Sequence, residues 1–114
     1  VYTVERLADL AQSAAARLSQ LGYANVHVKL DDGTLGWPEH APYDAIVVTA
    51  GGQQLPAPYM EQLKQGGRVV IPLGRAQASQ TMYRYTRTGD DYAQENLGQF
   101  TFVPLIGRHG WHPA

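Results

Sequence analysis

Two apolar strand patterns, joined by a helix end and a glycine pair, are the feature that most constrains the fold of this chain. Residues 43–52 read as a buried strand that stops at the small residues Thr49-Ala50-Gly51-Gly52. Residues 61–74 read as a helix end, a Gly66-Gly67 turn and a second buried strand. Strands that alternate with helices favour an open parallel α/β sheet, in which ligands bind beyond the carboxyl ends of the strands.

The rest of the chain extends this order of elements. A β-rich start at residues 1–4 precedes a helix whose apolar face runs from Leu7 to Leu21, and Gly22 stands where a helix C′ glycine belongs. Residues 25–30 alternate like a strand, and Pro58 can open a helix that reaches about Lys64.

The C-terminal part of the chain has a different pattern. Residues 81–87 and 92–99 predict an antiparallel hairpin, and residues 100–105 predict an extended apolar stretch. We therefore predict one domain over residues 1–114: a mostly parallel sheet with an antiparallel C-terminal edge.

Composition excludes several classes of protein. The net charge of −1 and the pI of about 6.4 give no field of one sign that would indicate nucleic acid or a membrane surface as partner. Cysteine is absent, so the chain has neither a disulfide framework nor a thiolate zinc site, and it fits a reducing compartment such as the cytoplasm. His109 and His112 stand at i and i+3 without further ligands at a suitable spacing, and we expect no metal site.

Polar residues at predicted strand ends are the candidates for binding. Glu5 follows the first strand, and an acid there commonly accepts both ribose hydroxyls of a nucleotide; alternatively it caps the following helix. Asp32-Gly33 follows the next strand, where Asp32 can accept from an adenine amino group and Gly33 allows close approach, or the pair is a simple turn.

Taken together, the segments resemble the protein-L-isoaspartate O-methyltransferase family, which uses S-adenosylmethionine and has a Rossmann-like fold. The resemblance covers nearly the whole chain in family order. Its most specific parts are the Asp-Gly-x-x-Gly-aromatic loop at residues 32–37 and the Phe-Val-Pro-Leu segment at residues 102–105. The other matching pieces are residues 1–6, 21–26, 41–46, 62–64 and 66–74.

The resemblance implies methyl transfer from S-adenosylmethionine to the α-carboxylate of an isoaspartyl residue in a damaged protein. The ester then closes to a succinimide, which reopens partly to normal aspartate. It implies that no metal is needed, and the charge already indicates no nucleic acid and no membrane as partner. The roles that it implies are ribose binding for Glu5, adenine contact for Asp32 and Gly33, a floor between cofactor and substrate for Thr49 and Ala50, and a peptide cleft shaped by Val103, Pro104 and Leu105.

The chain also departs from the family pattern. The family has N-terminal helices, a serine-bearing segment and a glycine-rich strand-loop before the position of Val1, and that strand lies mid-sheet, between the strands that end at Glu5 and Thr49. We therefore expect a domain truncated at its N-terminus, inactive alone, that either exchanges strands in a dimer or retains an N-terminal fragment. The alternatives are a non-catalytic interaction module derived from a methyltransferase, and another methyltransferase with the same sheet.

Overall fold

The computed structural model of the protein describes residues 1–75 and 78–113, and these form two compact units, Val1–Gly33 and Thr34–Ala114. The first unit contains strand β1 (Tyr2–Glu5), helix α1 (Ala8–Gln20) and strand β2 (His27–Leu30). The two strands are parallel, with Tyr2 opposite His27 and Glu5 opposite Leu30. The predicted strand–helix–strand order at the start of the chain is thus confirmed.

Helix α1 ends as its sequence predicts. Gly22 has a φ of 85°, and its N–H donates to Ser19 O while Tyr23 N–H donates to Leu18 O. This pair of bonds satisfies two carbonyls of the last turn and requires the left-handed conformation that glycine adopts at little cost.

The second unit contains strand β3 (Tyr43–Val47), helix α2 (Ala57–Glu61) and strands β4 (Leu63–Gly74), β5 (Gln80–Thr88) and β6 (Asp91–Phe100). The strand order is β3-β4-β5-β6; the first pair is parallel and the other two are antiparallel. The predicted antiparallel edge is confirmed. Helix α2 ends at Glu61, three residues before the predicted end at Lys64, because the chain enters β4 at Leu63.

The core of the second unit lies around β4. Leu63, Val69 and Ile71 are fully buried, and Tyr59, Tyr85, Val48 and Leu105 pack with them. The prediction of a buried strand that stops at Thr49 is wrong in part, since Val47 is 73% exposed and, among residues 43–48, only Val48 is buried. Among the described residues, β3 pairs with a strand on one side only, which leaves this part of the sheet open.

Candidate functional site at the strand ends

The carboxyl edge of the β1–β2 sheet brings the predicted nucleotide-binding residues of the first unit together. Glu5 is the last residue of β1 and lies opposite Leu30, the last residue of β2, so that Asp31 and Asp32 follow at the same edge. Asp31 N–H donates to Glu5 O at 3.1 Å, which closes this edge.

Glu5 is half-buried, and its Oε1 accepts a hydrogen bond from Leu7 N–H at 3.2 Å. Leu7 is the N-cap residue of α1, and no side chain caps this helix. Glu5 therefore bonds the amide of the N-cap residue itself rather than the free amides of the first turn. A carboxylate has two acceptor oxygens, and one bond at Oε1 leaves Oε2 for a ligand.

Asp31 is a carboxylate of this edge that the sequence analysis did not single out. The backbone N–H of Asp32 donates to its Oδ1 at 2.7 Å, and Lys29 Nζ lies 3.2 Å from Oδ2. The Asp32 N–H bond is the main cause that lowers the pKa of Asp31, and the bond from Lys29 adds to it. A run of two aspartates after a strand was its only signal in the sequence.

Gly33 opens a short 3-10 turn, Gly33–Leu35. A Cβ added to Gly33 would meet nothing within 4 Å, and its φ lies outside the left-handed range. Neither the fold around Gly33 nor its conformation demands a glycine there. The adenine contact that the resemblance implies for Gly33 stays a prediction.

The second unit holds the remaining predicted residues around Gly51. Gly51 N–H donates to Val103 O at 2.7 Å, and Gly51 O accepts from Leu105 N–H at 2.8 Å and from Trp111 Nε1 at 3.0 Å. Residues 103–105 thus pair with Gly51, four residues beyond the end of β3, through a short parallel bridge at Pro104. The two predicted parts of the peptide cleft are therefore neighbours.

Exposure differs among these residues. Thr49 is exposed, Ala50 and Pro104 are half-buried, and Val103 is 69% exposed. Leu105 is 8% exposed and belongs to the core cluster, so its side chain anchors the segment while Val103 faces outward.

Two buried glutamines fix loops of this unit, and the sequence analysis missed both. Gln62 accepts from Trp37 N–H at 3.0 Å and donates to Leu35 O at 2.9 Å. Gln80 accepts from Phe102 N–H at 2.7 Å and donates to Arg75 O at 3.3 Å. A lone glutamine carries no periodic signal, so nothing in the sequence marked either side chain as buried.

A cavity of about 630 Å³ opens beside these elements in the second unit. Its wall combines the 53–57 loop, the end of β4, His109 and one face of the β5–β6 hairpin, with Tyr83, Tyr85 and Tyr92. None of the residues predicted for the peptide cleft lines it.

No helix in the described part of the chain is long and apolar enough to cross a membrane. Within residues 1–75 and 78–113, no group of three or more His, Cys, Asp or Glu side chains is placed to hold a metal ion.

An acid ends the parallel β1–β2 pair, and small residues follow β3 of the parallel β3–β4 pair in the mixed sheet. This arrangement, with the likeness to a solved methyltransferase given below, defines a Rossmann-like methyltransferase fold. The sequence pattern of the protein-L-isoaspartate(D-aspartate) O-methyltransferase family matches residues 1–110. The chain belongs to this family.

Individual relatives that are similar to this chain belong to the same family. Protein-L-isoaspartate O-methyltransferase 2 of Pelobacter propionicus is 57% identical over 112 residues, which are 97% of this chain and 50% of that protein. The chain thus spans about half the length of the curated relatives that it matches. A solved protein-L-isoaspartate O-methyltransferase is 30% identical, with a TM-score of 0.90 over 96% of this chain and 35% of its own.

A second solved structure supports the fold alone. It is a Plasmodium falciparum protein described as a protein-L-isoaspartate O-methyltransferase in complex with S-adenosyl-L-homocysteine. It is 23% identical, with a TM-score of 0.78 over 93% of this chain and 52% of its own.

Proposed function

We propose that the full-length protein transfers a methyl group from S-adenosylmethionine to the α-carboxylate of L-isoaspartyl residues in damaged proteins, and so serves protein repair. The observation that carries this proposal is the family match over residues 1–110. The strand-end candidates also fall on two parallel pairs, β1–β2 and β3–β4, where ligands of α/β sheets bind.

The residues at the β1–β2 edge fit the proposed cofactor. Glu5 offers a carboxylate oxygen to the ribose hydroxyls, and Asp32 with the open side of Gly33 would border the adenine. Bound S-adenosylmethionine supplies an activated methyl group on its sulfonium, so the chemistry needs no metal.

The residues at the end of β3 would align the substrate. A carboxylate oxygen must approach the methyl carbon in line with the sulfur, which makes positioning the main demand on the protein. Thr49 and Ala50 would form the floor between cofactor and substrate. Val103, Pro104 and Leu105 would shape the peptide cleft, with Val103 exposed for contact.

The proposed partners are proteins and peptides that contain isoaspartyl residues, and the absence of cysteine supports a cytoplasmic location. We expect the 114-residue chain alone to be inactive, because Glu5 and Thr49 follow strands of two sheets that share no strand. A strand-exchanged dimer or an associated N-terminal fragment would join the free strand edges.

The test compares an L-isoaspartyl peptide with its aspartyl twin as acceptor of labelled methyl from S-adenosylmethionine, using the full-length protein. The expected result is labelling of the isoaspartyl peptide only. Equal labelling of both peptides, or of neither, would contradict the proposal and favour another methyltransferase or a non-catalytic module.

A further inference from the structure

We propose that Gln80 is a positioning residue for the peptide substrate. In this proposal, which rests on the proposed function, its side-chain amide holds Phe102 and thereby sets the place of Val103 and Pro104 beside Gly51. Gln80 itself contacts neither cofactor nor substrate.

Burial makes the hydrogen bonds of Gln80 costly to lose. Gln80 is 1% exposed, and both ends of its amide are used by backbone. Its Oε1 accepts from Phe102 N–H at 2.7 Å, and its Nε2 donates to Arg75 O at 3.3 Å. A buried amide with both partners satisfied fixes its neighbours, whereas one unsatisfied group there is unfavourable.

The segment that Gln80 holds is the one that meets the strand end. One residue after Phe102, Val103 O accepts from Gly51 N–H at 2.7 Å, and Leu105 N–H donates to Gly51 O at 2.8 Å. A displacement of Phe102 would therefore reach Gly51 and the adjacent Ala50, which is proposed to lie between cofactor and peptide.

Gly51 makes room for Gln80. A Cβ added to Gly51 would lie 3.0 Å from Gln80 Cδ and 3.1 Å from both Cγ and Nε2. A side chain at position 51 would thus press on the Gln80 amide, which would have to shift by a few tenths of an ångström. The glycine at the strand end and the glutamine at the start of β5 work as one unit.

Gln65 provides a matched control. Its Nε2 donates to Gly89 O at 3.0 Å and its Oε1 accepts from Gly89 N–H at 2.7 Å. This is the same pair of backbone bonds as at Gln80, but it ties the hairpin turn rather than the 102–105 segment. Gln65→Met therefore deletes bonds of the same type, but at an exposed position and away from the 102–105 segment.

The experiment measures peptide kinetics, S-adenosylhomocysteine affinity and amide exchange for both variants of the full-length protein. Gln80→Met should raise the KM for an isoaspartyl peptide by about tenfold, the scale of one lost buried hydrogen bond, with little change in kcat. The Kd for S-adenosylhomocysteine should not change, and the amides of Phe102 and Leu105 should exchange faster. Gln65→Met should leave KM and these two amides as in the wild type.

Gly51→Ala presses on the same amide and serves as the second variant if Gln80→Met does not fold. This variant should also raise the KM for the isoaspartyl peptide. In the double variant the increase in KM should be smaller than the product of the two single increases, since both substitutions act on the same interaction. An unchanged KM in folded Gln80→Met or Gly51→Ala, or an equal rise in Gln65→Met, would overturn the proposal. An inactive wild type would overturn the proposed function, and the amide exchange would still decide whether Gln80 holds the segment.

Discussion

The carboxylate of Glu5 already serves one neighbour, since its Oε1 accepts from Leu7 N–H. Truncation to alanine removes this local bond as well as any bond to a ligand, whereas Glu5→Gln keeps an acceptor for Leu7 and removes the charge. Comparing the two substitutions therefore separates the bond to Leu7 N–H from the binding of a ligand.

We predict that Glu5→Ala raises the Kd of the full-length protein for S-adenosylhomocysteine by roughly tenfold or more, because a charged hydrogen bond contributes about 1.5–3 kcal/mol. Calorimetric titration checks this, and Asp9→Asn, which changes another acid near the start of α1, should bind as the wild type does. An unaltered Kd in Glu5→Ala would leave Glu5 as a local helix-start residue.

Tyr85 gives a prediction about alkaline pH. Burial is the main cause that raises the pKa of its phenol above 10.0, and nearby Tyr83 and Tyr92 add to it. The unfolded chain therefore loses this proton at a lower pH than the folded chain. The contribution of Tyr85 to the free energy of unfolding is thus intact below pH 10 and is lost as the pH rises through the folded pKa. Tyr85→Phe should show a smaller loss of unfolding free energy between neutral pH and a pH above 10 than the wild type.

Urea unfolding at the two pH values measures this difference. Tyr85→Phe also removes the bond from Gln94 Nε2 at 3.1 Å, so it should be less stable at neutral pH by about 1 kcal/mol. Tyr23→Phe alters an exposed phenol that is not among the causes of this shift, and it should keep the wild-type dependence on pH. Parallel curves for the wild type and Tyr85→Phe would contradict the assigned cause.

Single residues differ in how well the sequence predicts them. Gly22 was predictable, because helix periodicity and a C′ glycine are both local signals. Gln62 and Gln80 were not, since each bonds backbone 22 to 27 residues away in the sequence. The burial of a polar side chain depends on such partners, which only the folded chain assembles.

At the scale of elements, local patterns predicted the β5–β6 hairpin and failed on the exposure of β3. Alternation and a glycine turn determine a hairpin within about twenty residues. The burial of an apolar strand depends on which strands flank it, and β3 is flanked by β4 alone. An apolar run therefore indicated a strand correctly but not its surroundings.

The Gly66-Gly67 turn inside β4 requires glycine twice, for different reasons. Gly66 has a φ of 76° and open space around its missing Cβ, whereas a Cβ on Gly67 would lie 2.8 Å from Lys64 O and 2.9 Å from Leu63 Cγ. Gly66→Ala should cost about 1–2 kcal/mol of stability through backbone strain. Gly67→Ala should cost as much or more, about 1–3 kcal/mol, because it presses on the fully buried Leu63.

Urea unfolding of both variants tests this assignment. Gly66→Asn should recover part of the loss at position 66, since asparagine tolerates the left-handed region, and Gly67→Asn should recover nothing. If Gly67→Asn were more stable than Gly67→Ala, the backbone conformation rather than the space for a side chain would be the reason for glycine at position 67.

At the scale of the whole molecule, the two units differ in their cores. In Val1–Gly33 the only buried hydrophobic residue is Ala11, whereas the second unit has a buried cluster around β4. A unit of about this size rarely supports its own fold. We predict that amides of α1 in the isolated 114-residue chain exchange fast and those of β4 and β5 slowly, as read by hydrogen exchange. Equal protection of both units would contradict this.

The free edges of β1 and β3 lead to the last prediction. Within residues 1–75 and 78–113, each of these strands pairs on one side only, and Val47 on β3 is 73% exposed. An apolar strand with unpaired backbone groups is a template for another strand. We therefore expect the 114-residue chain alone to self-associate, as measured by light scattering over a range of concentrations.

Val47→Lys should reduce the association because a charge on an edge strand opposes pairing. Leu21→Lys replaces an apolar residue that is 66% exposed after a helix, so it should have less effect. An equal reduction of association by both variants would show that general apolar contact causes the association. A monodisperse monomer for the unchanged 114-residue chain would show that neither edge pairs.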